Sequence, residues 1–200
     1  RFYLKIYYPS TTPGVKTKTI QPAPYCKGQN ISINYTATGT FDPSNVFTAE
    51  LSDASGDFTT ATILGSVTSS TSGSINAVIP TSIPTGQNYR IRVNSTNPVF
   101  IGTPNTTNLK IGEKPTASYT GSLPPQCSNN PPINLFSYGN VNPAGGYFEG
   151  NGVSSNYFNP TTAGSSGSPH SIAYIYSDFA GCSDTAYNTV SVNPKPNVSF

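Results

Sequence analysis

The chain has 200 residues, and its ten basic and eight acidic side chains give a net charge of +2. The basic residues are scattered and do not form the clustered stripe that a phosphate backbone requires, so nucleic acid is not expected as a partner. The longest apolar runs have the length of strands, well short of the roughly 20 residues of a membrane-spanning helix. Apolar residues nowhere recur at helical spacing over three turns, so the sequence predicts an all-β fold with almost no helix.

Strands in the first half are predicted from the alternation of apolar and polar residues. The apolar positions that share a face are Ile31, Ile33 and Tyr35, then Phe47, Ala49 and Leu51, then Tyr89, Ile91 and Val93. Arg90 and Arg92 are expected to point the other way. Further strands over 62–67, 74–79 and 107–111, separated by Gly and Pro, give the count and spacing of a seven-stranded sandwich.

The second half predicts a shorter sandwich. Its strands are expected over 116–120, 133–138, 146–149, 171–177 and 185–192. The segment 151–169 is rich in Ser, Gly and Asn, so it is predicted to be a loop with only a short strand at 157–158.

A repeated strand start marks the module boundaries. Lys-Pro-Thr-Ala-Ser-Tyr at 114–119 is restated as Lys-Pro-Asn-Val-Ser-Phe at 195–200. We therefore expect one sandwich over 12–112, a second over 113–194, and the start of a following module at 195–200. Because Pro has a fixed φ, modules joined through these Lys-Pro pairs are expected to form a semi-rigid, extended rod.

Residues 1–11 allow two interpretations. Leu4-Lys5-Ile6 matches Leu109-Lys110-Ile111 at the end of the first module, which predicts that residues 1–11 are the terminal strand of a preceding module. Alternatively, they are the first strand of the first sandwich.

Several segments carry a resemblance to a known class of protein. In the first module they include Cys-Lys-Gly-Gln-Asn-Ile at 26–31, Asn-Val-Phe-Thr-Ala-Glu-Leu-Ser-Asp at 45–53 and Tyr-Arg-Ile-Arg-Val at 89–93; in the second, Gly-Asn-Gly-Val at 150–153, Ile-Ala-Tyr-Ile-Tyr at 172–176 and Val-Ser-Val-Asn-Pro at 190–194. The first module resembles an Ig-like unit of very large surface proteins of Bacteroidetes-type bacteria. The second is similar to the PKD-like or Ig-like repeats of SprB-type gliding motility adhesins.

The resemblance implies export by the type IX secretion system, display on the outer cell surface, and a part in adhesion and gliding. The expected role is a structural stalk segment with no catalytic residue and no cofactor. Its partners would be neighbouring modules of the same chain, while an external surface or polysaccharide would be contacted through other parts of the protein. Two alternatives stay open: a glycan- or protein-binding module that uses the 151–169 loop, and a spacer in a secreted multidomain enzyme.

The three cysteines suggest an oxidising compartment. Cys127 precedes a predicted core strand and Cys182 follows another, so a Cys127–Cys182 disulfide is predicted, with two buried free thiols as the alternative. Cys26 is expected to be an inert buried thiol, although pairing between chains stays open.

Candidate sites for chemistry are few. His170, the only histidine, follows Ser168-Pro169 and has no nucleophile motif near it, so we expect a surface residue and no catalytic role. Asp53 and Asp57 lie in a sequence typical of a hairpin turn, and they form a weak candidate for Ca²⁺.

Aromatic and glycosylation motifs complete the candidates. The rings at Tyr138, Tyr147, Phe148, Tyr157 and Phe158 are expected to pack in the core, with carbohydrate stacking as the alternative. Five Asn-x-Ser/Thr sequons begin at Asn30, Asn34, Asn94, Asn105 and Asn197, and we expect them to be accidents of composition. Asp184-Thr185-Ala186 resembles the O-glycosylation sequence of these bacteria, which makes Thr185 a candidate acceptor.

Overall fold

The computed structural model describes residues 12–21 and 24–197, and it confirms the all-β class. Contacts divide the chain into two compact units, residues 1–113 and 114–200. The predicted strand at 1–11 lies outside the described residues, as do 198–200. Residues 195–197 are described and contain no strand, so the predicted following module stays a prediction.

The described residues of unit 1 form ten strands. They are β1 (Gly14–Thr17), β2 (Tyr25–Cys26), β3 (Asn30–Thr38), β4 (Val46–Leu51), β5 (Thr62–Thr68), β6 (Gly73–Val78), β7 (Gly86–Tyr89), β8 (Ile91–Thr96), β9 (Val99–Phe100) and β10 (Leu109–Gly112). The sheet orders are β1-β3-β6, β5-β4-β8-β9 and β2-β10-β7. These strands pair in antiparallel fashion, except that β2 runs parallel to β10; a single parallel bridge also joins Lys16 of β1 to Thr103.

The predicted alternation places the core of unit 1. Every second side chain is buried along β4, β8 and the first six residues of β3, including Ile33, Phe47 and Val93. The rings of Tyr35 and Phe47 lie 4.5 Å apart between centroids, so they join β3 to β4. The core therefore lies between facing sheets, as expected for a sandwich.

The strand predicted around 89–93 is interrupted at Arg90. The segment before it, β7, pairs with β10, whereas the segment after it, β8, pairs with β4. The Arg90 amide donates to Ser52 Oγ at 2.8 Å, and the Ile91 amide donates to Asn105 Oδ1 at 2.7 Å. Side-chain oxygens thus accept the hydrogen bonds of backbone amides that have no strand partner where the chain crosses from one sheet to another.

The described residues of unit 2 form ten strands. They are β11 (Ser118–Thr120), β12 (Gln126–Cys127), β13 (Ile133–Asn134), β14 (Asn140–Asn142), β15 (Tyr147–Gly150), β16 (Val153–Ser154), β17 (Tyr157–Phe158), β18 (His170–Ser177), β19 (Ser183–Val190) and β20 (Val192–Asn193). The longest are β18 and β19, and the others have two to four residues. The sheet orders are β11-β14, β12-β20, β13-β17-β16 and β15-β18-β19.

The core of unit 2 is aromatic. Tyr119, Phe148 and Tyr174 are buried, and the Phe148 ring centroid lies 5.1 Å from each of the other two. The backbone of Gly139 packs directly against the Tyr119 ring, and a Cβ at this position would come within 2.2 Å of that ring. These contacts hold the inner face of the β15-β18-β19 sheet.

Two segments of unit 2 differ from the sequence prediction. The strand expected over 133–138 ends at Asn134, whose side chain accepts from the Phe136 amide and starts a 3-10 turn over Leu135–Ser137. The segment 151–169 contains the expected strand β17, and also β16 and a one-turn helix, α1 (Pro160–Ala163), which Asn159 caps. Asn134 and Asn159 accept from backbone amides at the starts of the 3-10 turn and of α1, a local interaction that favours these turns.

Candidate functional site

The predicted Cys127–Cys182 disulfide is not present, because Cys127 has a free thiol. Cys127 lies on β12 opposite Asn193, which comes shortly after the last residue of β19. Cys182 lies just before the first residue of β19, so the length of this strand separates the two cysteines. Eight strand residues span about 25 Å. From the end of β19 to Asn193 the chain has three more residues, which can bring it back towards Cys182 by at most about 10 Å. A disulfide requires Cα atoms within about 7 Å of each other. The strand order therefore excludes the pair.

Cys182 is nevertheless disulfide-bonded and almost fully buried. Its turn is held by Asp178, whose carboxylate accepts from the amides of Ala180 at 2.9 Å and Cys182 at 2.8 Å. The Asp178 amide in turn donates to Cys182 O. The turn between β18 and β19 is thus fixed around this cysteine.

Cys26 is also disulfide-bonded, so the interpretation as an inert free thiol is wrong. It lies on β2 beside Gly112, the last residue of β10, and its amide donates to Gln29 Oε1 at 3.0 Å. A disulfide indicates a non-reducing setting for the protein.

Asp53 and Asp57 occupy one turn after β4. Asp53 Oδ1 accepts from the Ser55 amide and hydroxyl and from the Asp57 amide, at 2.7–2.9 Å. These hydrogen bonds, that to the Ser55 hydroxyl first, lower the pKa of Asp53. Gly56 adopts a φ of +93°, which glycine tolerates. The carboxylate therefore stabilises the turn itself, and calcium binding here stays a prediction.

Thr185 lies on β19, opposite Ile175 of β18, and is partly exposed. The neighbouring Asp184 accepts from the Ala117 amide at 2.9 Å and lies 3.5 Å from the Lys114 ammonium. The hydrogen bond from Ala117 is the main cause that lowers the pKa of Asp184. Asp184 therefore anchors the start of unit 2, while Thr185 stays a candidate glycan acceptor.

His170 is buried, so the expectation of a surface residue is wrong. It is the first residue of β18, and its Nε2 lies 2.7 Å from Gly164 O. A carbonyl only accepts, so Nε2 carries the proton, and Nδ1 accepts from the side-chain Nδ2 of Asn151 at 3.4 Å. His170 thus links the 151–169 segment to the core. In a strand that begins at His170, this residue lies on the same face as Ile172 and Tyr174, and that alternation is the sequence signal for its burial.

The five candidate rings fall into two groups. Phe148 and Phe158 are buried, as expected for core residues, whereas Tyr138, Tyr147 and Tyr157 are about half exposed. Tyr187, which sequence reasoning did not single out, is 69% exposed on β19. Its odd-numbered position on a strand whose even positions face inward is the signal that identifies it.

The sequons differ in accessibility. Asn30 and Asn34 are exposed on β3, and Asn94 is partly buried on β8. Asn105 is 1% exposed and its side chain binds backbone groups, so it has a structural role. Asn197 lies at the end of the described residues.

Comparisons with known proteins do not assign the chain. No family model matches it, and no curated protein matches it. Among the described residues, no three His, Cys, Asp or Glu side chains come together in an arrangement suited to a metal ion. No helix within 12–21 and 24–197 has the length and apolar character needed to cross a bilayer.

Proposed function

We propose that the chain is a structural stalk segment of a secreted bacterial cell-surface adhesin of the SprB type. In this role the sandwiches carry load and set the distance between the cell surface and a distal adhesive region. Export by the type IX secretion system, display on the outer surface, and a part in gliding follow from the sequence resemblance.

The observation that carries the proposal is the presence of two consecutive all-β units, each with its own hydrophobic core. In unit 1 the core includes residues from β1, β3, β4, β6, β7, β8 and β10, and in unit 2 it includes residues from β11, β15, β17, β18, β19 and β20. A self-contained core lets each unit fold by its own contacts. Such units suit a tandem array, in which load passes from one module to the next.

The boundary residues are held by their own units. Glu113 pairs with Lys27 of unit 1 at 3.3 Å, and Ala117 is bound by Asp184 of unit 2. Both ion pairs near the boundary have an exposed partner, so solvent screens them and each contributes little to stability. The hydrogen bond to the Asp184 carboxylate is the stronger anchor. Between these anchors Pro115 fixes one φ angle, which favours a stiff link.

Small-angle X-ray scattering on the wild-type chain tests the proposal. A stalk segment gives a monomer with an elongated distance distribution. A variant with Gly-Ser-Gly-Ser inserted after Pro115 is the matched control, because it keeps both cores and loosens the link; both proteins are measured with a disulfide reductant, so that no disulfide restrains the link. A compact wild-type particle, or identical distributions for the two proteins, would contradict a stiff stalk.

Two alternatives make different predictions. If the chain is a spacer of a secreted enzyme, the complete gene product carries a hydrolase domain beside it in place of a run of similar modules. If it is a binding module, the isolated chain retains glycan or protein from cell-envelope extract.

A further inference from the structure

The outer face of the β15-β18-β19 sheet has an unusual arrangement of side chains. Residues at odd positions of these strands point away from the core, because the even positions are inward. Strand register places Tyr147, Ile175 and Thr185 in one row across the sheet. The next row contains Glu149, Ala173 and Tyr187. We call these six positions the tyrosine face.

The two rings stand at opposite corners of this face. Tyr147 is 48% exposed and Tyr187 is 69% exposed. They are two strands and one row apart, so their Cα atoms are separated by about 12 Å, given ~4.8 Å between strands and ~6.8 Å between rows. Between them lie the partly buried Ala173 and Ile175, which form an apolar floor. A short oligosaccharide spans this separation.

The other two corners provide hydrogen-bonding groups. Thr185 offers a hydroxyl that donates and accepts, and Glu149 offers a carboxylate that accepts. Pyranose rings have apolar C–H faces and a rim of hydroxyls, so they suit aromatic rings combined with a few polar groups. A mostly apolar surface with a small number of polar groups that fix orientation is the usual composition of a ligand site.

Charge and area select among possible occupants. The outward positions of β15, β18 and β19, all of them described, include no Lys or Arg and one acidic residue, Glu149, so an anionic polymer is not favoured. Each outward position covers about 4.8 by 6.8 Å, so six positions cover about 200 Å² of sheet. A stable protein interface needs about 800 Å² per partner, which is far more than this face supplies.

We propose that the tyrosine face binds a neutral polysaccharide. The rings of Tyr147 and Tyr187 stack on two sugars of one chain, and Thr185 and Glu149 bind hydroxyl groups of the sugars between and beside them. This gives the segment a binding activity of its own, in addition to a stalk role.

Affinity electrophoresis in native gels tests the proposal. The probes are neutral polysaccharides cast into the gel: hydroxyethyl cellulose, xyloglucan, galactomannan, laminarin and dextran. The protein is the full chain produced in Escherichia coli, with the unmodified mass verified, because a glycan on Thr185 would cover the face. We expect retardation by at least one of these polymers.

Substitutions identify the site. Tyr147→Ala and Tyr187→Ala should each weaken binding about tenfold, because each removes an aromatic ring and the area that it would bury against a sugar. Tyr187→Phe should retain binding, because it keeps the ring. Tyr157→Ala is the matched control: it removes a ring that is 47% exposed but lies on β17, in another sheet. All three positions are about half exposed or more, so each of the four variants should keep the wild-type circular dichroism spectrum if it folds.

Three outcomes would overturn the proposal. The first is a wild-type chain that no polymer retards. The second is retardation that survives both Tyr147→Ala and Tyr187→Ala, or that Tyr157→Ala reduces equally. The third is dimerisation in light scattering that Tyr187→Ala abolishes, which would assign the face to a protein contact.

Discussion

Two buried tyrosines of unit 2 should respond in opposite directions to the loss of their hydroxyl groups. Within the described residues, the buried Tyr119 hydroxyl has no hydrogen-bond partner. Burying a hydroxyl without a partner costs about 1–3 kcal/mol. Tyr119→Phe removes this cost and keeps the ring contact with Phe148. We therefore expect it to raise the free energy of unfolding of unit 2 by about 1 kcal/mol.

Tyr174→Phe is the matched variant within the same aromatic cluster. Its hydroxyl accepts from the Gly146 amide at 2.8 Å and donates to Pro143 O at 2.6 Å. Removing it leaves a backbone donor and an acceptor without this partner, so unit 2 should lose about 2–4 kcal/mol. For a domain of this size each kcal/mol shifts Tm by roughly 4–8 °C.

Hydrogen–deuterium exchange with mass spectrometry, combined with urea unfolding of the full chain, measures both effects. Peptides from β18 and β19 report on unit 2, and a peptide from β3 in unit 1 is the internal reference. Protection in β18 and β19 should rise in Tyr119→Phe and fall in Tyr174→Phe, while β3 is unchanged. A loss of stability in Tyr119→Phe comparable to that in Tyr174→Phe would refute the assignment of an unsatisfied hydroxyl.

Three further predictions concern pH, hydrogen bonding and thiol chemistry. Burial raises the pKa of Tyr119 from 10.0 to about 12, because the folded state disfavours the buried phenolate. Titration of this group therefore leaves the stability of unit 2 unchanged below pH 10 and lowers it as the pH rises from 10 towards about 12, so Tm should fall less steeply over this range in Tyr119→Phe than in the wild type. Asn45→Ala removes three hydrogen bonds to backbone groups, so it should lower the free energy of unfolding of unit 1, measured in urea, by about 3 kcal/mol or more. Asn34 is exposed, so Asn34→Ala should keep this free energy within about 0.5 kcal/mol of the wild-type value. Iodoacetamide without reductant, on the chain unfolded in urea, should add one label, at Cys127; a label on Cys182 would contradict the thiol assignment.

The fold class and most long strands could be predicted from the sequence. Alternation in β3, β4 and β8 is a local property, since a sheet buried on one face requires apolar residues at every second position. The alternation of Ile31, Ile33 and Tyr35 therefore predicts both the strand and the face of it that is buried. The short strands β2, β12 and β14 have too few residues to show a period, so the sequence does not predict them.

Which residues come together was decided by the tertiary structure. Cys127 and Cys182 look like a pair along the chain, but the parallel pairing of β12 with β20 places them at opposite ends of the β18-β19 hairpin. His170 looks like a loop residue, and the start of β18 at that position buries it. Strand order and register depend on pairing between segments that are distant in the sequence, so they cannot be predicted from any one short segment.

The tyrosine face shows the same division. The sequence determines that Tyr147 and Tyr187 are aromatic and that each lies in a strand. Only the register of β15 and β19 against β18 places their two rings on one outer face, at opposite corners around Ala173 and Ile175. The sequence therefore specifies the strands and their buried sides, while pairing across the sheet specifies the surface that the protein presents.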